Sequence, residues 1–344
     1  MNTEIELKFL LSPELVSRLP ALLAKHEICQ HDQKTLANTY FDTPNLALGR
    51  MKAGLRIRCQ NGKLEQTVKL AGSQVGGLHQ RPEYNVDLAE PQPDLARFPA
   101  HIWPADFVLA QVQADLQPLF STDFLRQRWV VKFNETEIEL AFDTGEVRAG
   151  KKQNLIQELE LELVSGEVAD MFAFAALLLS EGGLRLYAVS KAQRGYYLAG
   201  LSVGPQLQTL TLAAGTDLSE TALPETEQDK RILLSRLAQG VEHWQHHEQG
   251  ALSTTDQKDD WLGQVRVGVA LVEQSLASLN SASLKNRSLN NGASESVLAG
   301  WLEDLTWLQA QLQEHKILDE LFYNPRYGRL LLQLTHYLYA EGGH

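Results

Sequence analysis

Between residues 3 and 190, apolar and charged residues alternate in short runs of period two, the pattern of strands whose side chains point to opposite faces by turns. Such runs cover residues 3–10, 36–42, 53–60, 63–71, 79–88, 123–133, 136–143, 156–164 and 184–190, and predict about nine short strands. Between them, apolar residues at helical spacing predict helices over Pro13–His26, the Phe107–Leu119 region, Val168–Glu181 and Lys191–Ala199. Past residue 227 only the helical period remains, over Arg231–Gly250, Trp261–Leu279, Ser296–Leu318 and Arg329–Glu341, with a Ser/Asn-rich loop at Asn280–Ser294.

The charged faces give the strands a common plan. In the first run Glu4, Glu6 and Lys8 share one face and Ile5, Leu7 and Phe9 the other. The pattern recurs with Arg56 and Arg58; with Glu65, Thr67 and Lys69; with Arg126 and Arg128; with Glu139 and Asp143; and with Glu158, Glu160 and Glu162. One charged face is ordinary solvent-facing surface, but a solvated sheet would use Thr, Ser, Gln and Asn freely, whereas here Arg, Lys and Glu fill the positions. A closed barrel that turns its charges inward and packs its apolar faces under outer helices accounts for this. The expected fold is therefore α+β: an antiparallel closed β-barrel tunnel with outer helices over residues 1–201, a linker over 202–226 rich in Thr, Gly, Pro and Glu, and an all-α C-terminal domain over 227–344.

Several carboxylates cannot stay ionised side by side without a cation, and an oxygen-only ligand set favours Mg²⁺ or Mn²⁺. Arg and Lys on the facing strands call for an anion with many oxygens, and guanidinium binds phosphate as a bidentate fork. The plain alternative is that the Glu and Arg neutralise one another.

The net charge of −12 argues against a whole surface built for nucleic acid or anionic membrane. Through Gly200 there are 21 Lys and Arg against 25 Asp and Glu, and beyond it 10 against 18, so the basic residues concentrate in the strand-rich part. Two cysteines, Cys29 and Cys59, stand in no metal or thiol motif. The acidic opening residues and the absence of a long apolar run point to a cytoplasmic protein with no membrane contact.

These residues resemble the CYTH family, the triphosphate tunnel metalloenzymes, whose opening ExExK stands here as Glu4-Ile5-Glu6-Leu7-Lys8. Thr39-Tyr40-Phe41-Asp42-Thr43-Pro44, Leu55-Arg56-Ile57-Arg58, Thr67-Val68-Lys69, Glu158–Glu162 with Ser165-Gly166, and Ser190-Lys191 with Arg194 follow in the family's order over roughly the first 200 residues. The resemblance implies that Glu4, Glu6, Glu160 and Glu162 hold metal, with Asp143 and Glu158 as further acids. It implies that Lys8, Arg56, Arg58, Lys69, Arg126 and Lys191 hold phosphate, that Arg128, Arg194 and Glu83 are second-tier candidates, and that Glu6, Lys8 and Lys69 sit at the catalytic centre. For Arg128 and Arg194 the plain alternatives are an outward pairing with Asp123 and a place on a closing helix. The Tyr40–Pro44 stretch reads as turn chemistry rather than a substrate contact.

The activity so implied is metal-dependent hydrolysis of inorganic triphosphate or another short polyphosphate: one metal bridges phosphate oxygens while a second activates water. Thiamine triphosphatase, nucleoside or RNA triphosphatase, adenylate cyclase and a non-catalytic polyphosphate-binding module are the alternatives. The helical C-terminal part resembles a partial CHAD domain through its position and through His243, His247 and Arg266. Those two histidines read as part of a polar helix face, and Trp244, Trp261, Trp301 and Trp307 as core.

Overall fold

The computed structural model describes residues 2–212, 226–254, 257–285, 295–314 and 318–342. Ten strands form one antiparallel sheet: β1 (Asn2–Leu11), β2 (Glu27–Asp42), β3 (Gly54–Gln60), β4 (Lys63–Lys69), β5 (Ser73–Val75), β6 (Leu78–Leu88), β7 (Gln117–Phe133), β8 (Thr136–Ala149), β9 (Lys152–Ser165) and β10 (Leu184–Leu186). The order β1-β9-β8-β7-β2-β3-β4-β6 returns to β1 through the β1–β6 pairing, so eight strands close a barrel, while β5 and β10 flank it. Closure leaves these eight without free edges and gives each strand an inner and an outer face.

Several strands exceed their sequence limits. β2 begins at Glu27 rather than residue 36, because its first nine residues are exposed or half-buried and show no apolar alternation. β7 starts at Gln117, so the helix expected to end at Leu119 is only α3 (Leu109–Asp115), and β8 and β9 run on to a hairpin at Gly150. β10 stops at Leu186, and the first helix, α1 (Pro13–Leu23), ends three residues before His26.

Outer faces carry the core. Leu7, Phe9, Leu159 and Leu161 are fully buried with residues of α1 and α4 (Val168–Ser180), a burial worth roughly 1.5–3 kcal/mol per side chain. A second cluster sets Leu55 and Val68 under Leu48 of α2 (Ala47–Arg50) and residues 95–112. A third lies on the inner face instead, where Leu36, Tyr40, Phe120 and Phe124 pack with Ala192 and Tyr196 of α5 (Lys191–Leu198), whose start is fixed by a reciprocal cap between Ser190 and Gln193.

The C-terminal helices are α6 (Glu227–Ser253), α7 (Lys258–Lys285), α8 (Glu295–Gln313), α9 (Leu318–Phe322) and α10 (Pro325–Ala340). Part of the expected linker, residues 213–225, and part of the expected loop, residues 286–294, lie outside the described residues. Residues 280–285, expected as loop, continue α7. Glycines let α6 and α7 touch backbone to backbone: a Cβ on Gly268 would stand 2.9 Å from the Gly240 carbonyl oxygen. Trp244, Trp261 and Trp301 are buried, and Trp307 is half-buried under the Arg326 guanidinium.

These helices share the barrel's core rather than standing apart from it. Phe172 of α4 stacks on His336 of α10, and the Thr335 hydroxyl donates to the Gly76 carbonyl in the turn between β5 and β6. Arg185 of β10 reaches Glu248 of α6 at 2.7 Å. Among the described residues no helix is long and apolar enough to cross a membrane.

Candidate functional site

The inner faces enclose a cavity of about 1530 Å³. Its wall includes Glu4, Glu6, Lys8, Arg56, Arg58, Lys69, Arg126, Arg128, Glu160, Glu162 and Lys191, so strand register turns these expected residues into one space. The register sets Glu6 opposite Glu162 and Lys8 opposite Glu160 across β1 and β9, and Arg126 opposite Asp143 across β7 and β8.

At one depth the charges interlock. Lys191 donates to Glu158 at 2.6 Å and lies 2.7 Å from Asp143 and 3.0 Å from Glu160. Lys8 lies 2.9 Å from Glu160 and 3.5 Å from Glu158. Arg126 forks onto both oxygens of Asp143 at 2.7 Å and also reaches Glu160 at 2.8 Å. Asp143 and Glu158 are fully buried, which such ions tolerate only when paired. Burial pushes the Glu160 carboxyl up, but Lys191, Lys8 and Arg126 outweigh it and hold it well below the carboxylate range. Lys8 and Lys191 are likewise held above the usual lysine range by their carboxylates, against burial.

A second cluster lies toward the start of β1. Lys69 touches both oxygens of Glu4 and one of Glu83, and Arg81 spans Glu4 and Glu6 at 3.3 and 2.8 Å. Against the upward push of burial, Lys8 and Arg81 bring Glu6 down to about 2.

Two charged strand residues that line the cavity are left without a counter-charge among the described residues. Glu162 has no Lys or Arg within ion-pair distance among the described residues, and burial together with Glu4, Glu139 and Glu6 pushes its carboxyl up to about 8. Arg58 has no carboxylate partner among them either; it donates only to Asn38 at 2.9 Å, and burial with the neighbouring Arg56 and Arg126 pulls it down to about 9. Within one cavity, Glu162 of β9 is short of a cation and Arg58 of β3, across the barrel, is short of an anion.

The carboxylates also fit a hard divalent ion by chemistry. Glu4, Glu6 and Glu162 supply only oxygen donors, and the Lys69 ammonium already occupies a cation position between Glu4 and Glu83. As placed, no three His, Cys, Asp or Glu side chains among the described residues converge at ligating distance; the basic side chains stand between them.

Several expectations are revised. Arg128 pairs with Glu139 at 2.6 Å and Asp32 at 3.2 Å, not with Asp123, and lines the tunnel mouth. Arg194 lies on α5 yet reaches Glu158 at 3.1 Å, so its guanidinium braces the buried carboxylate layer rather than facing the open cavity. Asp42 does organise a turn, accepting from the Thr43, Leu48 and Gly49 amides, but Tyr40 lines the cavity. His243 and His247 are buried, not on a polar face: His247 Nδ1 is 2.7 Å from the His243 carbonyl, its Nε2 accepts from the Gln208 amide, and His243 faces Gln264.

Two tunnel residues escaped sequence reading, His79 and Arg81. The period-two signal predicts the strand over 79–88, with His79, Arg81, Glu83 and Asn85 alternating with Gln80, Pro82, Tyr84 and Val86, but Pro82 weakens it and only Glu83 is singled out on that face. β6 keeps it because the Pro82 carbonyl still accepts the Leu70 amide at 3.1 Å.

Comparison with known proteins follows the same boundaries. A family model described as CYTH domain matches residues 2–196. An inorganic triphosphatase of Haemophilus influenzae is 42% identical over 198 residues, which are 58% of this chain and 55% of that protein, so the chain spans about half the length of this relative. Among solved structures, a Hippeastrum protein described as having a dominant triphosphatase activity shares 18% identity over 58% of this chain and 97% of its own, with a TM-score of 0.44. The PH1819 protein of Pyrococcus horikoshii shares 17% identity over 56% and 97%, with a TM-score of 0.37.

Proposed function

The chain belongs to the CYTH domain family, and from that premise we propose that its tunnel binds a linear triphosphate and hydrolyses it with a divalent metal, Mg²⁺ or Mn²⁺, releasing phosphate and pyrophosphate. The observation that carries this reading is the pair of unanswered charges in one cavity, Glu162 short of a cation and Arg58 short of an anion. Mutual neutralisation would leave neither. A metal–phosphate complex supplies both missing charges at once.

Glu4, Glu6 and Glu162, with Glu160 behind them, are the proposed metal holders. When bound, the ion shields phosphate charge and makes water a better nucleophile. Arg56, Arg58 and Arg126 present forks to phosphoryl oxygens, and Lys8 and Lys69 sit where charge grows on the departing pyrophosphate. Asp143 and Glu158 act one step back, fixing Arg126 and Lys191, and Arg194 in turn holds Glu158. No side-chain nucleophile is required, because positioning and electrostatic stabilisation carry phosphoryl transfer to water.

A metal-supplemented assay comparing phosphate release from triphosphate, ATP and thiamine triphosphate tests the assignment. Fastest release from inorganic triphosphate supports it; tight binding with no turnover of any of the three overturns it in favour of a binding module.

A further inference from the structure

One face of α6 forms part of the tunnel wall. Glu242, Gln245, His246 and Gln249 fall at i, i+3, i+4 and i+7, a single helical stripe, and all four line the cavity that holds Glu6, Lys8 and Arg126. They sit at the mouth where β1 and β4 end, because the wall there continues through Gly72–Gly76 after β4 and Tyr187–Gln193 after β10. Thr3 and Val164 mark the other mouth.

The stripe offers a phosphate chain little to hold. His246 Nε2 is engaged by the Gln206 carbonyl at 2.7 Å, and Gln249 accepts from Arg185 and donates to Ser253. The Arg185 charge is answered by Glu248 at 2.7 Å. What remains is Gln245, nine-tenths buried and without a hydrogen-bond partner among the described residues, and then Glu242, exposed and without an ion-pair partner among them. An amide carries two N–H donors that match phosphoryl oxygens, whereas a carboxylate repels them. Arg50 and Lys52 also line the cavity, so Glu242 opposes an attraction that would otherwise draw polyanions on through this mouth.

We propose that α6 is the end-stop of the phosphate track: Gln245 donates to the terminal phosphoryl group of a short chain, and Glu242 turns away chains that run past it. This rests on the triphosphate-hydrolysis reading. The helical region thus sets substrate length, and Gln245 and Glu242 are its specificity-determining residues.

The test measures kcat/KM for triphosphate and for long-chain polyphosphate with the full chain, in wild type, Glu242→Lys, Glu242→Gln and Gln245→Ala. Glu242→Lys should raise the long-chain to triphosphate ratio by about tenfold, with a smaller gain in Glu242→Gln, both fading as salt is added. Gln245→Ala should raise KM for triphosphate several-fold with little change in kcat. Equal ratios in all four proteins overturn the end-stop while leaving hydrolysis standing; no triphosphate turnover in wild type removes the underlying reading itself. Glu242 is solvent-exposed, so its variants keep the test open even if Gln245→Ala fails to fold.

Discussion

The Lys69 ammonium lies 2.6 and 2.7 Å from the two carboxylate oxygens of Glu4, the position a cation bound by that carboxylate would take. Glu83 closes on the same nitrogen at 2.7 Å, and against burial Lys69 and Arg56 hold the Glu83 carboxyl down to about 2. Lys69→Ala is expected to destabilise the barrel by about 1–3 kcal/mol, since it leaves two carboxylates under-compensated. Mg²⁺ should then raise the melting temperature of this variant more than that of wild type, measured by thermal melts with and without the ion.

Arg58 is the cleanest probe of phosphate binding. Removing Arg126 takes the bidentate partner from the buried Asp143 and leaves it to Lys191 alone, whereas Arg58 leaves behind only the Asn38 amide oxygen. Arg58→Ala should raise KM for triphosphate by roughly 10- to 100-fold, the size of a hydrogen bond to a charged group, with the melting temperature little changed. Steady-state kinetics beside a thermal melt would check both halves.

The joint between barrel and helices rests on a buried charge. Arg185 donates to Glu248, which also accepts from Tyr327, whose hydroxyl in turn receives the Trp244 indole N–H at 2.9 Å. Glu248→Ala strands the Arg185 guanidinium in the interior and should cost about 3–5 kcal/mol, read from denaturant unfolding.

Much of this barrel was legible because its charges repeat at period two: Glu4-x-Glu6-x-Lys8 and Glu158-x-Glu160-x-Glu162 make sense only with an inward face. What escaped did so for local reasons. Residues 27–35 form strand by pairing with β7 rather than by any apolar alternation, and Arg81 lies in a predicted strand that Pro82 weakens, where only Glu83 is singled out. The part played by α6 was out of reach, since Gln245 and Glu242 become tunnel residues only when a helix far along the chain packs across a barrel mouth. Composition alone made His243 and His247 look like surface.

His247 gives the fold a pH dependence. Its hydrogen bonds require the neutral ring with the proton on Nδ1, and burial pulls it from 6.5 down to about 4. The unfolded chain therefore binds the proton first on acidification. The stability this residue contributes is fully present above about pH 6.5 and is lost as pH falls toward 4. His247→Gln should flatten the slope of unfolding free energy against pH in that window, as measured by urea melts at stepped pH.

The sharpest test of a tunnel built for metal and phosphate together is the metal requirement of triphosphate hydrolysis in wild type and Glu162→Gln. Among the described residues Glu162 is the one acid of the barrel strands lining this cavity that no basic side chain pairs with, so the substitution removes a ligand without breaking an ion pair. The expected result is activity in wild type only with Mg²⁺ or Mn²⁺, and in Glu162→Gln a half-saturating metal concentration raised at least about tenfold with the fold intact. Equal metal dependence in the two proteins, or full hydrolysis in the presence of chelator, would contradict it.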